Sequence, residues 1–215
     1  MNDQVRKCFD DLASEPGELG QYAESLRRAF GVLAHCFRHG GKLLVCGNGG
    51  SAADSEHIVG ELMKGFRQPR PLGAEERRRL AELFPEEGPL LARRLQGALP
   101  TLSLVSQVSL PSAVANDTGA DMVFAQQVYG YGRPGDVLLA ISTSGNALNV
   151  LNAVRVARAF GLKTLALTGQ GGALAALCDV TVAVAGCDTA EIQECHQRLY
   201  HRLCGLLETE FFGGA

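Results

Sequence analysis

Five short runs of this chain are apolar along their length rather than alternating: Lys42–Cys46, Thr101–Val105, Val137–Ile141, Thr164–Leu167 and Val180–Ala185. Strands buried on both faces read this way, whereas a strand with one wet face alternates. Helical periodicity fills the intervals, at about Ser51–Phe66, Leu110–Asn116, Ala147–Phe160 and Ala173–Cys178, and a last helix is predicted from about Ala190 to Glu210. An amphipathic helix over Glu18–His39 precedes the first strand. Leu19, Tyr22, Leu26, Phe30, Leu33 and Phe37 recur there at helical spacing, and Gly40-Gly41 end it. Such alternation predicts an α/β fold: a parallel sheet covered on both sides, in three layers, doubly wound and Rossmann-like. The 215 residues suit one domain. Ligands of such sheets bind outside the carboxyl ends of the strands.

One stretch departs from the alternation. Between Arg67 and Leu99 come Arg-Gln-Pro-Arg-Pro-Leu-Gly, the charged Glu75-Glu76-Arg77-Arg78-Arg79, then Glu86-Glu87-Gly88-Pro89 and Arg93-Arg94, punctuated by Leu80, Leu83, Leu90, Leu91 and Leu95. This pattern predicts two short surface helices, a helical insertion within the domain. It serves either as solvated decoration or as a lid or subunit contact.

Charge and cysteine content narrow the function. A net charge of −3 gives no electrostatic case for nucleic acid or an acidic membrane. No apolar run reaches the ~18 residues of a membrane-spanning helix. The start Met1-Asn2-Asp3-Gln4-Val5 lacks the apolar core of a signal peptide. Seven cysteines, an odd number with no Cys-x-x-Cys, are expected to be reduced and mostly buried in a cytoplasmic protein.

Four constellations carry chemistry. The first run ends at Gly47-Asn48-Gly49-Gly50-Ser51, where glycines admit a close anion and Ser51 is placed to cap the following helix. The third run ends at Ser142-Thr143-Ser144-Gly145-Asn146, whose hydroxyls and N–H groups can wrap a phosphate without adding charge. Asn116-Asp117-Thr118-Gly119 is either a turn or a set of contacts to sugar hydroxyls. His57 and Glu61 share one helix face, one turn apart, and either bind a divalent metal or pair as acid and base. Gln193 and His201 belong to the last helix. Eight residues separate them, a rise of ~12 Å and a rotation of ~80° on a regular helix. To share one ion, either Gln193 lies at a loosened helix start or one group comes from another subunit. His35, His39 and His196 read as structural.

Taken together, these motifs resemble the phosphoheptose isomerases, the sedoheptulose 7-phosphate isomerases of the sugar-isomerase (SIS) domain superfamily. The resemblance rests on the Gly47–Ser51 loop with His57 and Glu61, Asn116-Asp117, Ser142–Asn146, and Ile192-Gln193-Glu194 with His201. It implies a single SIS domain and a homotetramer with active sites between subunits. It also implies one zinc per subunit held by His57, Glu61, Gln193 and His201, with Glu61 and His201 as acid and base. Asn48, Gly49, Gly50, Ser51, Glu61, Asn116, Asp117, Ser142, Thr143, Ser144 and Gln193 then match substrate-binding positions. Two departures stand out. Ala147 replaces a serine common in the family, which removes one phosphate contact, and Arg67–Leu99 reads as an insertion of about 25–30 residues against ordinary connection lengths. Two rivals remain. A non-catalytic SIS adaptor of the replication-initiator-binding kind would generally lack the His/Glu/His set present here. A dinucleotide-binding oxidoreductase leaves the serine loop unexplained and lacks the acidic residue about 20 residues on.

Overall fold

The computed structural model describes residues 1–14 and 19–213, so Glu18, where the first predicted helix begins, lies outside the described residues. Five parallel strands form one sheet: β1 (Leu43–Cys46), β2 (Thr101–Ser103), β3 (Val137–Ser142), β4 (Lys163–Gly169) and β5 (Val180–Val184), in the spatial order β2-β1-β3-β4-β5. Each falls on one of the five apolar runs. Register pairs Leu43 with Val137 and Val45 with Leu139. Every residue of β1 and β3 is buried, whereas β5, at the sheet edge, alternates between buried and half-buried positions.

The helices are α1 (Asp3–Ser14), α2 (Ala23–Arg38), α3 (Gly50–Met63), α4 (Ala74–Leu83), α5 (Gly88–Arg94), α6 (Ser109–Asp117), α7 (Val123–Tyr131), α8 (Leu148–Ala159), α9 (Ala173–Leu177) and α10 (Thr189–Phe212). The sheet separates two apolar layers. Leu43, Val45, Val137, Leu139, Leu165 and Leu167 face α1, α2, α3 and α10. Leu44, Cys46, Leu138, Ala140 and Ala166 face α7, α8 and α9. The period-2 pleat of each strand therefore feeds both layers. The crossover after β1 runs on the first layer and that after β3 on the second. The strand order reverses between β1 and β3, which makes their carboxyl ends the switch point where such folds bind ligands.

Two helices, α1 and α7, lie outside the segments that periodicity predicts. In α1, Val5, Phe9 and Leu12 are buried at i, i+4 and i+7, and Asn2 caps the helix by accepting from Val5 N at 2.8 Å. That spacing is present in the sequence, but Arg6, Lys7, Asp10 and Asp11 crowd between the three apolar positions and mask it. Helix α7 is short, and its buried Gln127 donates to the Leu104 carbonyl at 2.8 Å. All seven cysteines are free thiols. Cys36, Cys46 and Cys204 are buried, but Cys8 and Cys187 are exposed, so "mostly buried" overstates the case. No helix among the described residues is long and apolar enough to cross a membrane.

The stretch from Arg67 to Leu99 contains the two expected helices, α4 and α5, and no residue of α4 is buried. Its base is not a surface feature. Arg70 is 1% exposed and its Nε donates to Glu208 Oε1 at 2.8 Å. The same guanidinium reaches the Leu62 carbonyl at 2.7 Å and the Glu61 carbonyl at 2.9 Å, closing the last turn of α3. Glu208 also accepts from Phe66 N and Arg67 N, both at 2.8 Å. Burial pushes the Glu208 carboxyl up, but these two N–H groups and Arg70 outweigh it and hold it below the usual range. A Pro71–Gln96 bridge and a Gly97 N–H to the Arg70 carbonyl at 2.7 Å close the neck of the segment.

His196 is wholly buried on α10, and neither ring nitrogen has a hydrogen-bond partner among the described residues. Burial pushes its pKa down to about 4, against a weaker upward pull from the Thr168 backbone. Unfolded, the imidazole titrates near ~6.5. Between these values the unfolded chain binds a proton that the folded chain does not. Its contribution is thus full above about pH 6.5 and is lost as pH falls toward 4, on the order of 3 kcal/mol in all. The urea midpoint is expected to drop between pH 7 and pH 5, and to drop less in His196→Met. An equal drop in the variant would place the pH dependence elsewhere.

Candidate active site

The loop after β1 turns at Gly49, whose φ of 56° suits glycine, and Gly50 opens α3. A Cβ at Gly50 would meet Gln193 Oε1 at 2.6 Å, so the bare Gly50 backbone is where the Gln193 amide of α10 rests against the loop. Ser51 is not the cap. The N-cap position is Gly49, and Ser51 lies buried in the first turn of α3. The loop after β3 is tied down from several sides. Thr168 Oγ1 donates to the Ser142 carbonyl at 2.7 Å, and Asn146 Oδ1 accepts from Ala173 N at 3.0 Å. Asn48 and Asn149 exchange two amide hydrogen bonds of 2.9 Å, joining the start of α3 to α8.

Asn48, Gly49, Gly50, Ser51, Ser142, Thr143, Ser144 and Gln193 line one cleft, together with Ile141, Ala147 and Thr189. Two helices, α3 and α10, begin in that cleft, at Gly50 and Thr189. Leading N–H groups of a helix have no partner within it, and the helix dipole favours an anion there. The cleft contains hydroxyls, amides and backbone but no charged side chain, which is chemistry suited to a phosphate. Thr189 escapes the sequence reading because that reading starts the helix one residue late. Ala147 sits in the cleft as a methyl group.

The second cluster lies farther along the seam between α3 and α10. The two helices run in the same direction, so Gly50 meets Gln193 while His57 meets Tyr200 and His201. His57 Nε2 is 3.1 Å from Glu61 Oε1 and 3.3 Å from His201 Nε2, and one ligand atom from each of the three lies within 4.8 Å of the others. Glu61 Oε2 is buried without a partner among the described residues. A tetrahedral site with bonds of ~2.0 Å has ligand–ligand edges of ~3.3 Å, so the triad and its orphaned oxygen fit a small divalent cation such as zinc. Burial, with His57 adding to it, pushes the His201 pKa down against Glu61, so the ring is neutral and able to ligate or accept a proton. Tyr200 donates to Asp54 Oδ1 at 3.2 Å and lies 3.0 Å from His57 Nδ1. Burial raises the Asp54 pKa, while Tyr200 and His57 pull it down. Sequence reasoning missed the contributions of Asp54, Tyr200 and Asn149.

Three predicted residues, Gln193, Asn116 and Asp117, stand apart from this picture. Helix α10 is regular from Thr189, which removes the option of a loosened start at Gln193. Within one chain Gln193 belongs to the cleft, seven residues or ~10 Å of helix rise above Tyr200. Asn116 and Asp117 end α6, exposed, with Asn116 donating to Asp117 at 2.8 Å. No hydrogen bond among the described residues joins them to the cleft or to the triad.

A charge-free anion cleft at the switch point, with a His/Glu/His triad one helix seam away, defines an α/β protein that handles small phosphorylated molecules. The SIS domain family profile matches residues 18–76 and 79–169. The chain is 40% identical to the phosphoheptose isomerase of Rhodospirillum rubrum over 97% of each chain, and 36% identical to that of Akkermansia muciniphila over the full length of both. The solved structure of a phosphoheptose isomerase from Francisella tularensis matches with a TM-score of 0.72 at 29% identity, covering 97% of this chain and 100% of that one. The chain belongs to the phosphoheptose isomerase family of SIS-domain proteins.

Proposed function

We propose that this protein interconverts sedoheptulose 7-phosphate and D-glycero-D-manno-heptose 7-phosphate, an aldose–ketose isomerisation that begins ADP- or GDP-heptose precursor synthesis. The observation that carries this reading is the spacing along one helix seam. The anion cleft lies at Gly50 and Gln193, and the triad lies ~10 Å further on at His57, Glu61 and His201. A sugar phosphate anchored at one end presents its carbonyl end to the other. The family membership and the names of the relatives support the same reaction.

The isomerisation moves a proton between neighbouring carbons through an enediol(ate) and shifts a hydroxyl proton to match. Glu61 and His201 exchange the base and acid roles in this reading, since a carboxylate and a neutral imidazole can each take and return a proton. The cleft serves as a remote handle that orients the reacting carbons. His57, Glu61 and His201 would hold one zinc per subunit. When bound, it supplies Lewis acidity toward the carbonyl and hydroxyl oxygens. The resemblance adds Gln193 to the metal set. Its place on the cleft supports a substrate role instead, and a metal role for it needs a contribution across a subunit boundary. Asn116 and Asp117, exposed and apart from the cleft, suit a neighbouring subunit's substrate in a homotetramer. The free thiols agree with a cytoplasmic setting.

Sedoheptulose 7-phosphate and unphosphorylated sedoheptulose, compared at equal zinc, test the reading. The phosphate ester is expected to be turned over with kcat/KM about 10³-fold or more above the free sugar, the remote anchor being lost in the latter. Equal values for the two, or no turnover of either, would overturn it.

A further inference from the structure

Tyr200 is 2% exposed, and its single hydroxyl proton has two candidate acceptors, Asp54 Oδ1 at 3.2 Å and His57 Nδ1 at 3.0 Å, while the Gln197 side chain hydrogen-bonds the same hydroxyl as a donor. An ionised carboxylate is the stronger acceptor, so the proton goes to Asp54. The tyrosine oxygen then faces His57 Nδ1 with lone pairs only. A second lone pair at 3.0 Å would repel it, so Nδ1 must carry a hydrogen and donate. A neutral imidazole protonated at Nδ1 has a bare Nε2. That Nε2 is the atom turned toward Glu61 Oε1 and His201 Nε2. We infer that Tyr200 is a positioning residue for metal binding: it relays the Asp54 carboxylate to His57, fixes the Nδ1–H tautomer and aims a bare Nε2 at the triad's centre.

A bare His57 Nε2 and the Glu61 carboxylate 3.1 Å apart repel each other unless a cation lies between them, and the relay is what makes His57 an acceptor rather than a donor to Glu61. The geometry is that of a carboxylate-backed metal histidine with a tyrosine hydroxyl interposed. It is legible only in three dimensions, because Asp54 and His57 lie on α3 while Tyr200 comes from α10, 143 residues beyond His57. The inference rests on the metal reading of the triad, and the following test separates the two.

Tyr200→Phe keeps the ring and removes only the hydroxyl. Zinc affinity of metal-stripped protein, measured by competition with a chromophoric chelator, is expected to fall about 10- to 100-fold in the variant. Affinity for inorganic phosphate at the serine cleft is expected to stay at the wild-type value. Separately, ¹⁵N NMR of metal-free wild type at about pH 8.5, above the ordinary imidazole range, is expected to show His57 protonated at Nδ1, and Tyr200→Phe to show a mixture of tautomers. Equal zinc affinities in the two proteins, or a wild-type His57 protonated at Nε2, would overturn the role of Tyr200. Wild type that takes up no zinc would overturn the metal reading itself, with the NMR result still deciding the tautomer.

Discussion

Glu61→Gln is expected to lower kcat on sedoheptulose 7-phosphate by at least about 10³-fold, within the range for loss of a positioned acid or base. The substitution preserves size and keeps an oxygen near His57, but it removes the negative charge and the basicity. KM is expected to change little, because the phosphate is held at the other end of the seam, by groups that Glu61 does not touch. Stability is expected to hold or rise. One Glu61 oxygen is buried without a partner among the described residues, and replacing such a carboxylate relieves a desolvation cost. His201→Gln is expected to show the same split, with kcat down about 10²-fold or more and KM nearly intact. A stable variant with lost turnover separates catalysis from folding. Turnover within about tenfold of wild type in both variants would remove them from the reaction.

Arg70→Met is expected to cost about 3–5 kcal/mol in chemical denaturation, the range for breaking one side of a buried ion pair. The guanidinium is fully buried against Glu208 and also holds the carbonyls of Glu61 and Leu62. Methionine fills much of the volume but leaves Glu208 buried with only the Phe66 and Arg67 N–H groups. The last turn of α3, which carries Glu61, loses its closing contacts. Glu208→Gln added to Arg70→Met is expected to restore part of the loss, because the amide oxygen still accepts while the orphaned charge is gone. A loss under about 1 kcal/mol in the single variant would show that the clasp is dispensable.

Much of the fold could be read because its strands are apolar on both faces and its loops are glycine- and serine-rich. Residues 43–46 and 137–141 sit in the centre of the sheet, and nothing competes with that pattern. The cleft followed from the same logic, since residues just after parallel strands meet at the switch point. What stayed hidden depends on how helices far apart in sequence align. Arg70 falls in the charged stretch read as a surface insertion, and its burial comes from Glu208, 138 residues on, together with the Leu62 and Glu61 carbonyls and the Phe212 ring. Tyr200 belongs to no motif that the sequence shows, and its hydroxyl meets Asp54 and His57 only where α10 packs on α3. The helix arithmetic that separated Gln193 from His201 matches α10, which is regular from Thr189 and sets the two residues apart along one seam. Helix α7 is apolar but only nine residues long, too short for a helical period to stand out, and the charges flanking the apolar positions of α1 mask its period.

In the proposed reaction one seam anchors a phosphate and moves a proton at the far end of the same sugar. Its most direct test follows sedoheptulose 7-phosphate by NMR with zinc-loaded wild type and Glu61→Gln side by side, with and without chelator. An aldoheptose 7-phosphate is expected from wild type alone, diminished when zinc is removed. No aldose from zinc-loaded wild type, or the same rate from Glu61→Gln, would contradict it.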